Sequence, residues 1–348
     1  MTRTGGSTSR RARRQRLSEL MLRKDLGAIL LERSANFAWY TNGADNRVDH
    51  ASPFGVAGVL VTPEAEYILT NNIEVSRMRE EQTPGFEVVE HPWHEDPAAT
   101  VRELTGDVPL GSDSAAGGAL DVSDEISPLR YTLDADAIER YRRVGADAAA
   151  AVVEAADALR PGITEHEAAA ALAAACRQRG LFSSVLLAAA DGRIGSYRHP
   201  IPHGEQIERR VMLVVSAEHG GLYANVTRMV DFEEPDPELK RRQEACAVIL
   251  QRMREEATRP GRTLAEAFAD CQRFYAEEGF SEEWRLHHQG GMTGYASREI
   301  IATPHTRQEI RVGQAFAWNP SITGAKVEET FVLTEDGPEV ITLREDGP

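Results

Sequence analysis

Between Ile138 and Leu159 apolar residues recur at spacings of three and four: Ile138, Tyr141, Val144, Ala148, Val152, Ala155 and Leu159. That period predicts one long amphipathic helix, and Arg160-Pro161-Gly162 stops it. Ahead of it the pattern is different. Leu17 to Lys24 reads as a short helix, and Gly27 to Leu31 as a buried strand. Ala35 to Gly43 closes that unit in a turn. Val56 to Thr62 and Tyr67 to Thr70 alternate around Pro63-Glu64-Ala65-Glu66 like a hairpin, and Phe86 to Glu90 is a further strand. Strands interleaved with helical stretches argue for an α/β layer. The small, polar run of residues 111–127 approaches a domain boundary.

Behind the long helix the chain repeats itself. Arg160-Pro161-Gly162-Ile163-Thr164 with Glu167 and Gly180 is echoed by Arg259-Pro260-Gly261-Arg262-Thr263 with Glu266 and Gly279, at a constant offset of 99. Each copy closes a helix, turns, starts a second helix at a Thr cap with an acid three residues on, and ends it at Gly. Each then runs into histidine, at Tyr197-Arg198-His199 and at His287-His288. Strand-like runs follow both copies: Val211 to Ser216 with Tyr223 to Val230, and Ala315 to Trp318 with Thr330 to Leu333. Two such α-α-β-β halves predict a pseudo-two-fold domain with a cleft between them. The stretch Leu286 to Tyr295, LHHQGGMTGY, stands out in the second half, because glycine lets a backbone carrying histidine approach a ligand closely.

Composition narrows the possibilities. At 348 residues, 41% hydrophobic and 27% charged, the chain suits a soluble protein of two domains. No run nears the roughly 20 apolar residues of a membrane span. Residues 1–16 hold six arginines and no acid; with no apolar core behind them they read as a disordered basic tail, not a secretory signal. The remaining chain has 33 basic against 55 acidic residues, which disfavours nucleic-acid partners. Cys176, Cys246 and Cys271 are few, odd in number and far apart, as expected of buried thiols in a cytoplasmic protein.

Four marks then come together: Tyr223-Ala224-Asn225-Val226-Thr227-Arg228, His288-x-x-Gly291, Asn319-Pro320 and Val327-Glu328-Glu329-Thr330. With them the chain resembles the pita-bread family of methionine aminopeptidase, aminopeptidase P, prolidase and creatinase. Residues 17–127 resemble the creatinase-type N-terminal domain, ANFAWYTNG standing where that domain has its Asn-x-x-Tyr-x-Thr-Gly turn. Residues 134–345 resemble the catalytic domain. The fold this implies is α/β (α+β): a creatinase-like N-terminal α/β domain followed by a pseudo-two-fold pita-bread domain.

In the family's metalloenzymes Asp, Asp, His, Glu and Glu hold two divalent metals, and this chain departs from that set at three of the five places. The first Asp falls on Val214, or on Ser216 with a two-residue shift; the second is Asn225; the Glu of Glu-Pro is Asn319. His288 and Glu328 are retained. Hard dications need anionic oxygens to offset their charge, so the expectation is no metal cofactor. Creatinase resembles this chain in lacking the aspartates and works without metal, using a histidine that aligns with His199 as acid and base on a C–N bond. Its partner glutamate, however, falls on Thr227 here.

The resemblance thus implies His199, His288 and Glu328 as catalytic residues. Without a metal or base to meet it, Glu328 is expected to have a raised pKa. Asn225 and Asn319 would form a neutral hydrogen-bonding network, Tyr295 and Trp318 would line the cleft, and Arg198, Arg228 and Arg298 are candidates to clamp a substrate carboxylate. The function expected is a metal-independent hydrolase acting on a C–N bond of a small nitrogenous substrate. The alternatives are an Xaa-Pro-type metallo-aminopeptidase and a catalytically inactive protein that binds a small molecule, short peptide or partner. A cytoplasmic homodimer is implied.

Overall fold

The computed structural model describes residues 5–343. It forms two compact units, Met1–Ala137 and Ile138–Pro348. The division falls just beyond the stretch expected to hold the boundary, inside the first turn of the helix Ala135–Ala158.

The first unit is built on a six-stranded sheet of β1 (Ala28–Arg33), β2 (Phe54–Val61), β3 (Glu66–Asn71), β4 (Glu87–His91), β5 (Leu110–Ser112) and β6 (Leu120–Asp121). Their order across the sheet is β4-β3-β2-β1-β5-β6. The hairpin read from sequence is present, β2 and β3 pairing antiparallel from Val61↔Glu66 to Ala57↔Thr70. One face buries Ala28, Leu30, Leu60 and Leu69 against Val101 of the helix Ala98–Thr105. ANFAWYTNG is helical rather than a turn: Ser34–Thr41 forms a helix that ends on Asn42 in the left-handed region. The buried Asp113 carboxylate secures its start, accepting from Glu32 N at 2.8 Å and Asn36 Nδ2 at 2.7 Å.

The basic N-terminal stretch is no disordered tail. Gly5–Lys24 is one helix, and residues 1–4 lie outside the described residues. Arg13 is only 1% exposed; its guanidinium sits 2.7 Å from the Asp134 carboxylate and donates to Asn42 Oδ1 at 3.0 Å. Arg10 lies 3.6 Å over the Phe86 ring and pairs with Glu66, while Arg14 donates to the carbonyl of Pro63 at 2.9 Å. Locally these arginines are a run of like charge. Their partners lie far along the chain, which a local reading cannot see.

In the second unit the duplicated motifs fold alike. Thr164 caps the helix Glu165–Gln178 and Thr263 caps Leu264–Glu277, each through a reciprocal capping box with Glu167 or Glu266. Each cap also makes an isolated bridge to a later segment, Thr164 to Gln206 and Thr263 to Glu309. The first half carries β7 (Phe182–Ala190), β8 (Arg210–His219) and β9 (Leu222–Asp231), paired antiparallel in that order. Strand β7 was not among the expected runs. The second half carries β10 (Gly290–Thr293), β11 (Ile300–Ile301), β12 (Ala315–Trp318), β13 (Ser321–Ile322), β14 (Ala325–Lys326), β15 (Glu329–Thr334) and β16 (Gly337–Val340). Five of these form one sheet, β11-β10-β12-β15-β16.

The glycine pair after His287-His288 serves this sheet directly. A Cβ at Gly290 (φ 95°) would stand 2.1 Å from the Ala317 carbonyl oxygen, and one at Gly291 (φ 149°) 2.2 Å from that of Ile300. The close approach that glycine permits here is to the neighbouring strands β12 and β11.

Replacing Arg13 with alanine strands the Asp134 carboxylate beside a cavity. We expect a loss of about 3 kcal/mol in urea unfolding. A disordered tail would show no change.

Candidate active site

Several segments of the second unit converge on one cavity. Across the β8–β9 hairpin Ser216 stands directly opposite Asn225 and Val214 opposite Thr227. Of the two positions left open for the first Asp, Ser216 is therefore the one that faces Asn225. An isolated bridge from Thr227 to Glu328 joins β9 to the segment entering β15. His288 precedes β10, Asn319 follows β12, and Lys326 ends β14, two residues before Glu328. Ser216, Asn225, His288, Asn319, Lys326 and Glu328, together with His199, Arg298, Val185, Leu187 and Val214, line a cavity of about 300 Å³.

Its electrostatics centre on Glu328, which is 2% exposed. Arg298 Nη2 donates to Oε1, Thr227 Oγ1 donates to Oε2 at 3.0 Å, and the Lys326 ammonium lies 4.0 Å from Oε2. Burial by itself pushes this carboxyl up. The two cations and the hydrogen bonds outweigh burial and hold it below the usual range; the raised pKa expected if no metal or base met it does not arise, because Arg298 and Lys326 do. Both oxygens already have partners from the chain itself.

Beside the carboxylate stand three imidazoles. His199 Nε2 and His287 Nε2 are 2.9 Å apart, and the His287 and His288 rings stack at 4.4 Å. His287 drew no claim from sequence, yet it is the histidine that touches His199. Desolvation, reinforced by the positive charge of Lys326, lowers all three pKa values, His288 to about 4 and His287 to about 2. The rings are neutral near pH 7, so one of the two facing Nε2 atoms carries the hydrogen they share.

Asn225 and Asn319 line the cavity as expected. Asn225 Nδ2 donates to Thr293 Oγ1 at 3.3 Å, whereas Asn319 Oδ1 is buried without a hydrogen-bond partner among the described residues. Other expected residues are elsewhere. Trp318 is fully buried and donates to Thr258 Oγ1 at 2.9 Å; adjacent to Asn319 at a strand end, it faces the opposite side. Tyr295 is 1% exposed and its hydroxyl accepts from Arg140 at 2.9 Å, so it too is core. Arg198 is held by Glu283 at 2.6 Å and by Thr323, and Arg228 donates to the carbonyls of Thr227 and Thr342. Neither lines the cavity. Arg298 does line it, but with its guanidinium engaged by Glu328 rather than open as a bidentate clamp. Lys326 was missed by sequence reading; the one signal was its place two residues from Glu328, on the same face of an extended segment. A larger cavity of about 580 Å³ lies in the first unit and contains none of these residues.

The donors present do not fit a pair of divalent metals. One carboxylate remains, and it is ion-paired; the other positions offer amides, a hydroxyl and imidazole, and two protein cations occupy the neighbourhood. The three histidines place ring nitrogens within 4.8 Å of one another, a donor set that zinc accepts. A ligating imidazole passes its second nitrogen to an acceptor, however, and His287 Nδ1 is buried with none. Lys326 also opposes a dication there.

Because these histidines bind fewer protons folded than unfolded, their contribution to stability is complete above about pH 6.5 and is lost as pH falls towards their depressed values. The thermal midpoint should drop between pH 6.5 and 4.5. The decline should be shallower in His288→Asn; an unchanged slope would mean that the imidazole is not held neutral.

Comparison with known proteins agrees with this architecture. The family described as Metallopeptidase family M24 matches residues 139–335, and the Creatinase/Prolidase N-terminal domain matches residues 13–178. The chain is similar to an Xaa-Pro dipeptidase of Pyrococcus horikoshii, 23% identical over 95% of this chain and 97% of the relative. It is similar to a probable dipeptidase PepE of Mycobacterium tuberculosis, 26% identical over 80% of this chain and 81% of the relative. Among solved structures an Xaa-Pro dipeptidase from Bacillus anthracis superposes with a TM-score of 0.81 at 21% identity, covering 96% of this chain and 98% of that one. None of the helices among the described residues is long and apolar enough to cross a membrane. Its duplicated capped helices, its creatinase-type N-terminal unit and the match over its second unit place the chain in metallopeptidase family M24, the pita-bread family.

Proposed function

We propose that this family member hydrolyses a C–N bond of a small nitrogenous or short-peptide substrate through histidine acid–base chemistry, without a metal centre. The observation that carries the reading is the His199–His287 contact at 2.9 Å beside a cavity whose retained glutamate is already ion-paired. A neutral His199 takes a proton from water as the water attacks, and returns it to the leaving nitrogen. Lys326 and Arg298 disfavour the imidazolium that forms in between, and Glu328 favours it. His287 shares a hydrogen with His199 and so fixes which way that ring points. A homodimer, implied by the resemblance, belongs to the same proposal.

The relatives' names favour a second reading more directly: an Xaa-Pro-type metallo-aminopeptidase or dipeptidase. It requires bound metal, and the two readings separate on that point. Mass spectrometry of protein purified without chelator, with and without dialysis against manganese, cobalt and zinc, gives the metal content. Turnover of Xaa-Pro dipeptides and of amide and guanidino compounds is then followed in the same samples. The metal-independent reading expects no metal, amide or guanidino turnover unaffected by chelator, and at least a ~100-fold loss in His199→Ala. About two metals per chain with chelator-sensitive dipeptide cleavage would establish the second reading instead.

A further inference from the structure

The cavity has exchanged the sign of its charge. Where the family places acids around metal cations, this chain places two amides and a serine, with two cations, Arg298 and Lys326, in the same lining. Arg298 is matched by Glu328. Lys326 is matched only loosely: its side chain is 5% exposed, and its ion-pair partner Glu328 Oε2 is 4.0 Å away, beyond hydrogen-bonding distance. An ammonium on a buried side chain, with no hydrogen bond to a side chain or carbonyl among the described residues, favours any arrangement that supplies an acceptor. The surroundings are unfinished in the same sense. Ser216 Oγ and Arg298 Nε are buried without hydrogen-bond partners among the described residues, on 4%-exposed and partly buried side chains that line the same cavity. Two of these three groups are donors only, and the serine can donate.

We propose that the position occupied by metal elsewhere in the family is here an oxyanion site, which receives a ligand carboxylate on Lys326 with Ser216 and Arg298 beside it. The carboxylate completes the ammonium's hydrogen bonds and balances the cavity, whose charged lining groups are Lys326, Arg298 and Glu328. Nothing repels it at Ser216, Asn225 or Asn319, where acids would. A cavity of about 300 Å³ is large enough for a small amino-acid derivative. Lowering of the Lys326 pKa by burial accords with an ammonium that lacks a hydrogen-bond partner in the absence of ligand. This inference rests on the proposed absence of a metal centre; as a statement about binding, it is tested apart from whether the bond is hydrolysed.

Isothermal titration calorimetry of the full chain with N-acetylglycine and with N-acetylglycinamide, which differ in the carboxylate, tests the site without turnover. The acid should bind at least tenfold more tightly than the amide. Lys326→Met should abolish that preference and Lys326→Arg should keep it. A cooperative thermal transition in Lys326→Met, whatever its midpoint, separates lost binding from lost folding. Equal affinity for the two probes, a preference that survives Lys326→Met, or a divalent ion held by the three histidines in the purified protein would each overturn the assignment.

Discussion

A carboxylate at Glu328 is the constraint on which the second unit turns. Deep between the two halves of its repeat, it costs several kcal/mol unless charge and hydrogen bonds meet it. Arg298, Thr227 and the nearby Lys326 provide them from three separate segments. The same contacts tie β9 to the entry of β15, where Asn225 N donates to Thr330 Oγ1 at 2.8 Å and Thr330 Oγ1 returns a hydrogen bond to Asn225 O at 3.0 Å. One buried acid therefore links the halves and sets the potential of the cavity beside it.

That potential shapes everything else in the site. Family acids at Ser216, Asn225 and Asn319 would have drawn cations in from solution. With those acids gone, Arg298 and Lys326 balance the glutamate from within the chain, and burial, reinforced by their charge, lowers the pKa of the three nearby imidazoles. Neutral histidines beside fixed cations suit proton transfer to and from a polar, electron-rich substrate. They suit a metal dication poorly. Membership of a metallopeptidase family and a cavity of this composition are compatible, because a fold preserves a scaffold while the chemistry resides in a few side chains.

Several misreadings share a cause. Trp318 and Tyr295 are near the site in sequence, yet in an extended segment neighbours point to opposite faces, so Asn319 faces the cavity and Trp318 the core. Arg198 adjoins His199, but Glu283 holds it away. The Gly290-Gly291 pair suggested a ligand; its real neighbours are the carbonyls of two adjacent strands.

What the sequence determined by itself was whatever rests on local rules. The capping boxes at Thr164 and Thr263 and the long helical period after Ile138 are written within a few turns of chain, and the recurrence of the capped motif at a constant offset gives the duplicated unit. Retained His288 and Glu328 and the amides at Asn225 and Asn319 were legible because motif position survives substitution. Tertiary structure alone decided what depends on distant partners: that Arg13 is buried against Asp134, that His287 meets His199, that Ser216 faces Asn225, and that Arg298 takes the hydrogen bond of Glu328 and leaves Lys326 4.0 Å away. Electrostatic pairing acts through space over a few ångströms, and no window along the chain records which charges will meet there.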